Sequence, residues 1–145
     1  MTTDQQQTLA ASFSFSGNGL HTGADVAVTV HPGEPNGGFR LRAGDRETRL
    51  LPTLADGTRH RTVVAIDSVE IHTAEHLLAA LFGMGVDNAV LEVTGNEIPG
   101  LDGSAQPFAE KIQEVGLAAQ EAPARVFRLT QPISAATDNA CITAF

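Results

Sequence analysis

The sequence predicts an α+β fold, a two-layer sandwich in which a sheet of about five strands packs against two main helices. Three observations point there. Val26, Val28 and Val30 alternate with smaller or polar residues, the period-two pattern of a half-buried strand. Leu77, Leu78, Leu81 and Phe82, with Ala80, recur at helical spacing, and Gly83-Met84-Gly85 supplies a stop. Phe108, Ile112 and Val115 repeat that spacing between Ser104-Ala105-Gln106-Pro107 and Gly116. Pro107 suits a first turn, where its missing N–H costs little.

In chain order, residues 1–8 read as a disordered lead-in, because Met1–Gln7 is polar and lacks the basic flank and apolar core of a signal peptide. Ala24–His31, the turn Pro32–Gly38 and Phe39–Arg42 read as strand, turn, strand. Thr62–Ile66 and Val69–Ile71 flank Asp67-Ser68 as a short hairpin that delivers the chain to Thr73 and the first helix. Val86–Val93 reads as a mostly buried strand. Leu117–Ala124 reads as a linker, Val126–Leu129 as the start of a new strand, and Pro132–Phe145 as two strands about a turn at Thr137-Asp138-Asn139. The expected organisation is an α+β domain over 9–122, then a linker and the opening hairpin of an incomplete second domain over 123–145.

The 145 residues, 42% of them hydrophobic, suffice for one buried core. No apolar run approaches the roughly 18 residues that cross a bilayer, so no transmembrane segment is expected and the cytoplasm is the default compartment. A net charge of −8 with Lys111 as the sole lysine argues against nucleic acid or a polybasic membrane anchor. Arg40, Arg42, Arg46, Arg49, Arg59 and Arg61 form either a local anion-facing patch or a solvated hairpin face; the second reading is the simpler. Cys141, the single cysteine, allows no internal disulfide and is expected to be buried packing.

Thr73-Ala74-Glu75-His76-Leu77-Leu78-Ala79-Ala80-Leu81 sets a carboxylate beside an imidazole at a helix start. Adjacent helical side chains diverge by about 100°, so both do not ligate one ion from mid-helix. The natural division has His76 bind a metal while Glu75 takes a proton from the bound water. Thr73 is placed to cap the free N–H groups of the helix. Alone, a Glu-His dipeptide is commonly accidental. Residue 80 is alanine, so a protease-type His-Glu-x-x-His pair is absent.

Gly17-Asn18-Gly19-Leu20-His21-Thr22-Gly23 and Gly95-Asn96-Glu97-Ile98-Pro99-Gly100-Leu101-Asp102-Gly103-Ser104 flank that helix in sequence. In this order and spacing the three segments resemble the first half of the UDP-3-O-acyl-N-acetylglucosamine deacetylases, zinc amidases of lipid A biosynthesis. The resemblance runs from about Phe15 to Phe108 and more loosely to the C-terminus.

The resemblance implies the first half of a two-domain deacetylase architecture. It implies hydrolysis of the N-acetyl group of a UDP-linked acylated amino sugar, UDP-3-O-(3-hydroxyacyl)-N-acetylglucosamine. Zn2+ would take His76 and two ligands from a His-Lys-x-x-x-Asp helix of the second domain, where a further histidine serves as acid, with Glu75 as general base. This chain has no His-Lys pair and no histidine after His76. The 145 residues alone are therefore expected to be inactive. Two alternatives stay open: a catalytically silent protein-interaction module, or one half of a split or self-associating enzyme.

His21 would lie near the active cleft or pack in its glycine turn. His60 would line a wall of the substrate cleft or stand in an exposed loop. His72 takes a position where the family has a small residue, and a structural role is expected. His31 marks a strand end. Asp102 would orient active-site groups or, more simply, serve the turn before the second helix. Glu97-Ile98-Pro99 reads as a loop fixed by Pro99, and Gly100 replaces a bulkier apolar residue.

Overall fold

The computed structural model describes residues 5–56, 62–126 and 128–145. The elements run β1 (Gln5–Leu9), β2 (Phe13–Asn18), β3 (Asp25–Pro32), β4 (Phe39–Ala43), β5 (Arg46–Arg49), a 3-10 turn (Pro52–Leu54), β6 (Ala55–Asp56), β7 (Val63–Ile66), β8 (Val69–His72), α1 (Glu75–Gly83), β9 (Ala89–Thr94), α2 (Gln106–Val115), β10 (Leu117–Pro123), β11 (Ile133–Ala136) and β12 (Cys141–Ala144). The expected α+β architecture is present: a five-stranded sheet in the order β2-β3-β9-β4-β5 with two helices. Only β4 and β9 pair in parallel; the other neighbours in this sheet are antiparallel.

Alternation builds the core. Val26, Val28 and Val30 of β3 are buried, as are Leu41 of β4 and Ala89, Leu91 and Val93 of β9. α1 closes over them with Leu77, Ala80 and Leu81, while α2 contributes Phe108 and Ile112. Phe82, expected on the packed face, is 80% exposed. It follows Leu81 by one residue, which turns it about 100° from the core-facing stripe. There it borders an apolar groove with Phe39, Leu50, Leu51, Pro52, Val64 and Leu78. Gly85, at φ 81°, follows the end of α1, and Gly116, at φ 80°, ends α2 in a backbone region that side chains disfavour.

Several sequence expectations need correction. Gln5–Leu9 is not lead-in but strand β1, and Leu117–Pro123 is not linker but its antiparallel partner β10. A buried amide network stitches this pair to the main sheet. The Gln6 side chain donates to Asn36 Oδ1 and the Pro123 carbonyl, and accepts from Asn36 N–H and Asn88 Nδ2. Asn88 also donates to Gln120 and accepts the Gly38 N–H. Polar side chains with no apolar periodicity thus hold two strands, because each buried donor and acceptor is matched.

No strand forms at Val126, Arg128 or Leu129, and Phe127 lies outside the described residues. Cys141 is exposed rather than buried, since among the described residues β12 pairs with β11 alone and every residue of the two strands is exposed. Among the described residues no helix is long and apolar enough to cross a membrane.

The arginine-rich hairpin is an ion-paired surface. Arg40 and Arg42 both reach Glu47, Arg42 also meets Glu92 at 3.2 Å, and Arg46 donates to Ser68 Oγ. Their hydrogen bonds, from Arg40 first and then Arg42, hold the Glu47 carboxyl below its ordinary range. Arg59 and Arg61 lie outside the described residues.

Candidate active site

The three glycine- and charge-bearing segments converge through backbone pairing. β8 ends at His72, whose N–H donates to the Asn96 carbonyl while its own carbonyl accepts the Ile98 N–H. This parallel bridge lays His72 beside Glu97. Gly19 bridges Pro99, and the Gly100 N–H reaches the Asn18 carbonyl. Loop 17–23, the entry to α1 and loop 95–104 therefore meet at one end of the sheet.

Glu97 sits at that meeting point with no exposed surface. Its Oε1 accepts the His21 N–H at 3.0 Å and the Thr73 hydroxyl at 2.8 Å. Its Oε2 accepts the Thr22 N–H at 3.0 Å and the Thr22 hydroxyl at 2.7 Å. Burial by itself pushes the carboxyl up. The His21 N–H, the Thr22 and Thr73 hydroxyls and the Thr22 N–H reverse that and lower it to about 2. Among the described residues, the charge is thus stabilised by N–H and hydroxyl donors rather than by a cation.

The loop glycine is required by that packing. A Cβ at Gly19 would collide with Glu97 Oε2 and Thr22 Oγ1. Gly100 is also closely approached, because a Cβ there would stand 3.1 Å from Leu20 Cβ. A bulkier residue at 100 would need Leu20 to move.

Thr73 holds φ at 60°, a left-handed conformation that is a genuine outlier for a β-branched residue. Such strain costs on the order of 1–3 kcal/mol and persists where surroundings over-determine it. Thr73 is 1% exposed, and its hydroxyl is committed to Glu97. The expected cap does not form: Ala74 occupies the N-cap position with no side-chain cap bond. Glu75 then opens α1, and its Oε2 accepts the Thr62 N–H at 3.0 Å. His76, the next residue, is half-buried.

Among the other predicted residues, His21 contributes its backbone to the Glu97 site while the residue itself is exposed. His60 lies outside the described residues. His72 is buried, with Nδ1 unpartnered and Nε2 3.8 Å from Glu70. His31 stands next to the end of strand β3, bonded to Ser12 and 3.5 Å from Glu92. Asp102 is exposed, and its Oδ1 accepts both the N–H and the hydroxyl of Ser104, whose oxygen in turn accepts the Gln106 N–H at the start of α2. These contacts are those of a turn leading into a helix.

Glu97 is the residue that sequence reasoning passed over. Its signal was an acid set directly before Ile98-Pro99 in a glycine-bounded loop, a place where burial demands donors.

Comparison with known proteins gives the same grouping. The chain matches the family described as LpxC: UDP-3-O-acyl N-acetylglycosamine deacetylase over residues 6–145. A UDP-3-O-acyl-N-acetylglucosamine deacetylase of Neisseria meningitidis is 38% identical over 135 residues, covering 88% of this chain and 44% of that protein. One from Thermosynechococcus vestitus is 39% identical over 143 residues, covering 96% and 50%. The bifunctional enzyme LpxC/FabZ of Porphyromonas gingivalis is 42% identical over 123 residues, covering 82% and 27%. The chain spans half or less of the length of these curated relatives.

Proposed function

The chain belongs to the LpxC family of UDP-3-O-acyl N-acetylglycosamine deacetylases, and from that membership we propose that it forms the N-terminal domain of an enzyme hydrolysing UDP-3-O-(3-hydroxyacyl)-N-acetylglucosamine in lipid A biosynthesis. The reading is carried by one observation. Glu75 and His76 open α1 side by side, on a backbone entry tied through Glu97 to the His21 loop.

A catalytic zinc takes about three protein ligands. Among the described residues no group of three or more His, Cys, Asp or Glu side chains is placed to hold a metal ion. The residues therefore fit one position of such a centre, His76, and not the centre itself; two further ligands would come from a second domain. Zinc, when bound, supplies polarisation of the acetyl carbonyl and acidifies water.

Glu75 is suited to the base. The Thr62 N–H orients it through Oε2, and Oε1 accepts no hydrogen bond from another described residue. It would take the proton of the attacking water as the water oxygen bonds to the acetyl carbon; the amide C–N bond then breaks, a proton goes to the departing sugar amine, and acetate is released. His21 and His60 are assigned to the substrate side, and Thr73 and Asp102 to support.

With β1 and β10 included, a domain over residues 5–123 followed by the start of a second over 124–145 belongs to the same proposal, as does a cytoplasmic location. The fully exposed β11–β12 hairpin favours pairing with further polypeptide over a silent solitary module, since unpaired strand edges invite association. The test joins residues 1–145 to the C-terminal half of the Neisseria meningitidis relative and measures acetate release from the UDP-sugar. Release that falls by roughly two orders of magnitude or more in Glu75→Ala is expected. Release indifferent to Glu75 overturns the assignment of the base, and a folded fusion without release supports the silent module.

A further inference from the structure

Glu97 does more than fill a buried polar niche. The four hydrogen bonds that its carboxylate accepts from described residues come from two segments, His21-Thr22 and Thr73, and these carry or adjoin the residues assigned to the reaction. None comes from the strands of the main sheet. One oxygen, Oε1, is shared by the His21 N–H and the Thr73 hydroxyl.

Thr73 is two residues from Glu75, three from His76, and in a strained backbone conformation that needs outside support. Loss of its bond to Glu97 would free the peptide to leave positive φ and rotate the start of α1. On the other flank, Thr62 already holds Ala74 and Glu75 through its carbonyl and N–H. His72, just before Thr73, is held by the Asn96 carbonyl and the Ile98 N–H, and Glu97 supplies the side-chain constraint on Thr73 itself.

We propose that Glu97 is a positioning residue: its carboxylate holds the His21 loop and the backbone entering α1 in one relation, so that His21, Glu75 and His76 meet the substrate as a unit. This rests on the function proposed above for those three residues. It adds that the loop and the helix entry, already brought together by backbone bridges to residues 95–104, are held in register by a side chain which itself touches no substrate. The amides of His21 and Thr22 are consumed by that coupling, so they do not serve as donors to a substrate anion.

The test reads the coupling directly, in the 145-residue protein, by NMR-detected amide exchange and backbone resonances. Thr73→Val removes one donor to Oε1 and keeps the side-chain shape. It is expected to speed exchange at the His21 N–H by about tenfold or more, and Thr73→Ser to restore protection. Thr22→Val is expected to move the Glu75 and His76 resonances. If Glu97→Gln fails to fold, these threonine variants still decide the matter.

A lowered melting temperature in Thr73→Val with His21 and Thr22 exchange unchanged would mean that Glu97 is structural only, and the proposal fails. In the fusion enzyme, Thr73→Val should lower kcat about tenfold or more with KM unchanged, and Thr73→Ser should recover it. Absence of acetate release from the unsubstituted fusion would count against the functional reading, whereas the exchange data judge the coupling independently.

Discussion

Acid should destabilise this fold through Glu97, and Glu97→Gln should remove that sensitivity. The carboxyl is lowered from an ordinary 4.5 to about 2 in the folded protein. That difference corresponds to ~3 kcal/mol of preference for the charged form in its site, at about 1.4 kcal/mol per pH unit. Because the folded value is depressed, the stabilisation is fully present above the unfolded value of 4.5 and is lost as pH falls towards about 2. The unfolded chain takes up the proton first, so stability rises with pH across this window. Glu97→Gln keeps the volume but replaces one acceptor oxygen with an N–H donor facing N–H and hydroxyl groups. At neutral pH it should cost about 3 kcal/mol. Urea unfolding followed by circular dichroism, from pH ~7 to pH ~2.5, measures both proteins. Other carboxylates titrate in each, so the wild-type minus variant difference isolates Glu97. That difference should shrink below pH ~4.5 and nearly vanish near pH ~2. A gap that stays constant over the whole range would refute the reasoning.

Gly19→Ala drives a Cβ into Glu97 Oε2 and Thr22 Oγ1 and should cost about 1–3 kcal/mol, read as a lower urea midpoint. On α1, Leu81→Ala should cost ~2–5 kcal/mol, because Leu81 has no exposed surface, whereas Phe82→Ser should stay within ~0.5 kcal/mol. Equal effects at 81 and 82 would mean that the core-facing stripe is misplaced. Arg42→Ala should change stability by less than about 1 kcal/mol, with the effect shrinking further in high salt, since its pairs with Glu47 and Glu92 are partly solvated.

Regular apolar periods made the sheet and both helices legible: valine alternation in β3, and the 108, 112, 115 spacing in α2 that buries Phe108 and Ile112. Where polar contacts carry the structure, periodicity is silent. β1 and β10 are held by ladder bonds and the Gln6–Asn88 amide network, so a glutamine-rich start read as lead-in and an alanine- and glutamate-containing strand read as linker. Phe82 shows the opposite error, an apolar residue adjacent to the packed stripe but outside it. At the candidate site the motif order singled out Glu75 and His76 from sequence, and both stand at the start of α1. The role of Glu97 was hidden because its partners lie in two segments far from it in the chain, and a carboxylate satisfied by N–H and hydroxyl groups leaves no cationic residue to mark it. Thr73 looked like a helix cap by residue type, yet its positive φ and its bond to Glu97 give its hydroxyl a different use.

The division of labour between the two residues that open α1 is tested most directly by metal content and turnover measured together in the fusion of residues 1–145 with the second half of the Neisseria meningitidis relative. Zinc near one equivalent per chain should survive in Glu75→Ala, with acetate release lost, whereas His76→Ala should lose both zinc and release. Zinc retained at full occupancy in His76→Ala, or acetate release undiminished in Glu75→Ala, would contradict the account.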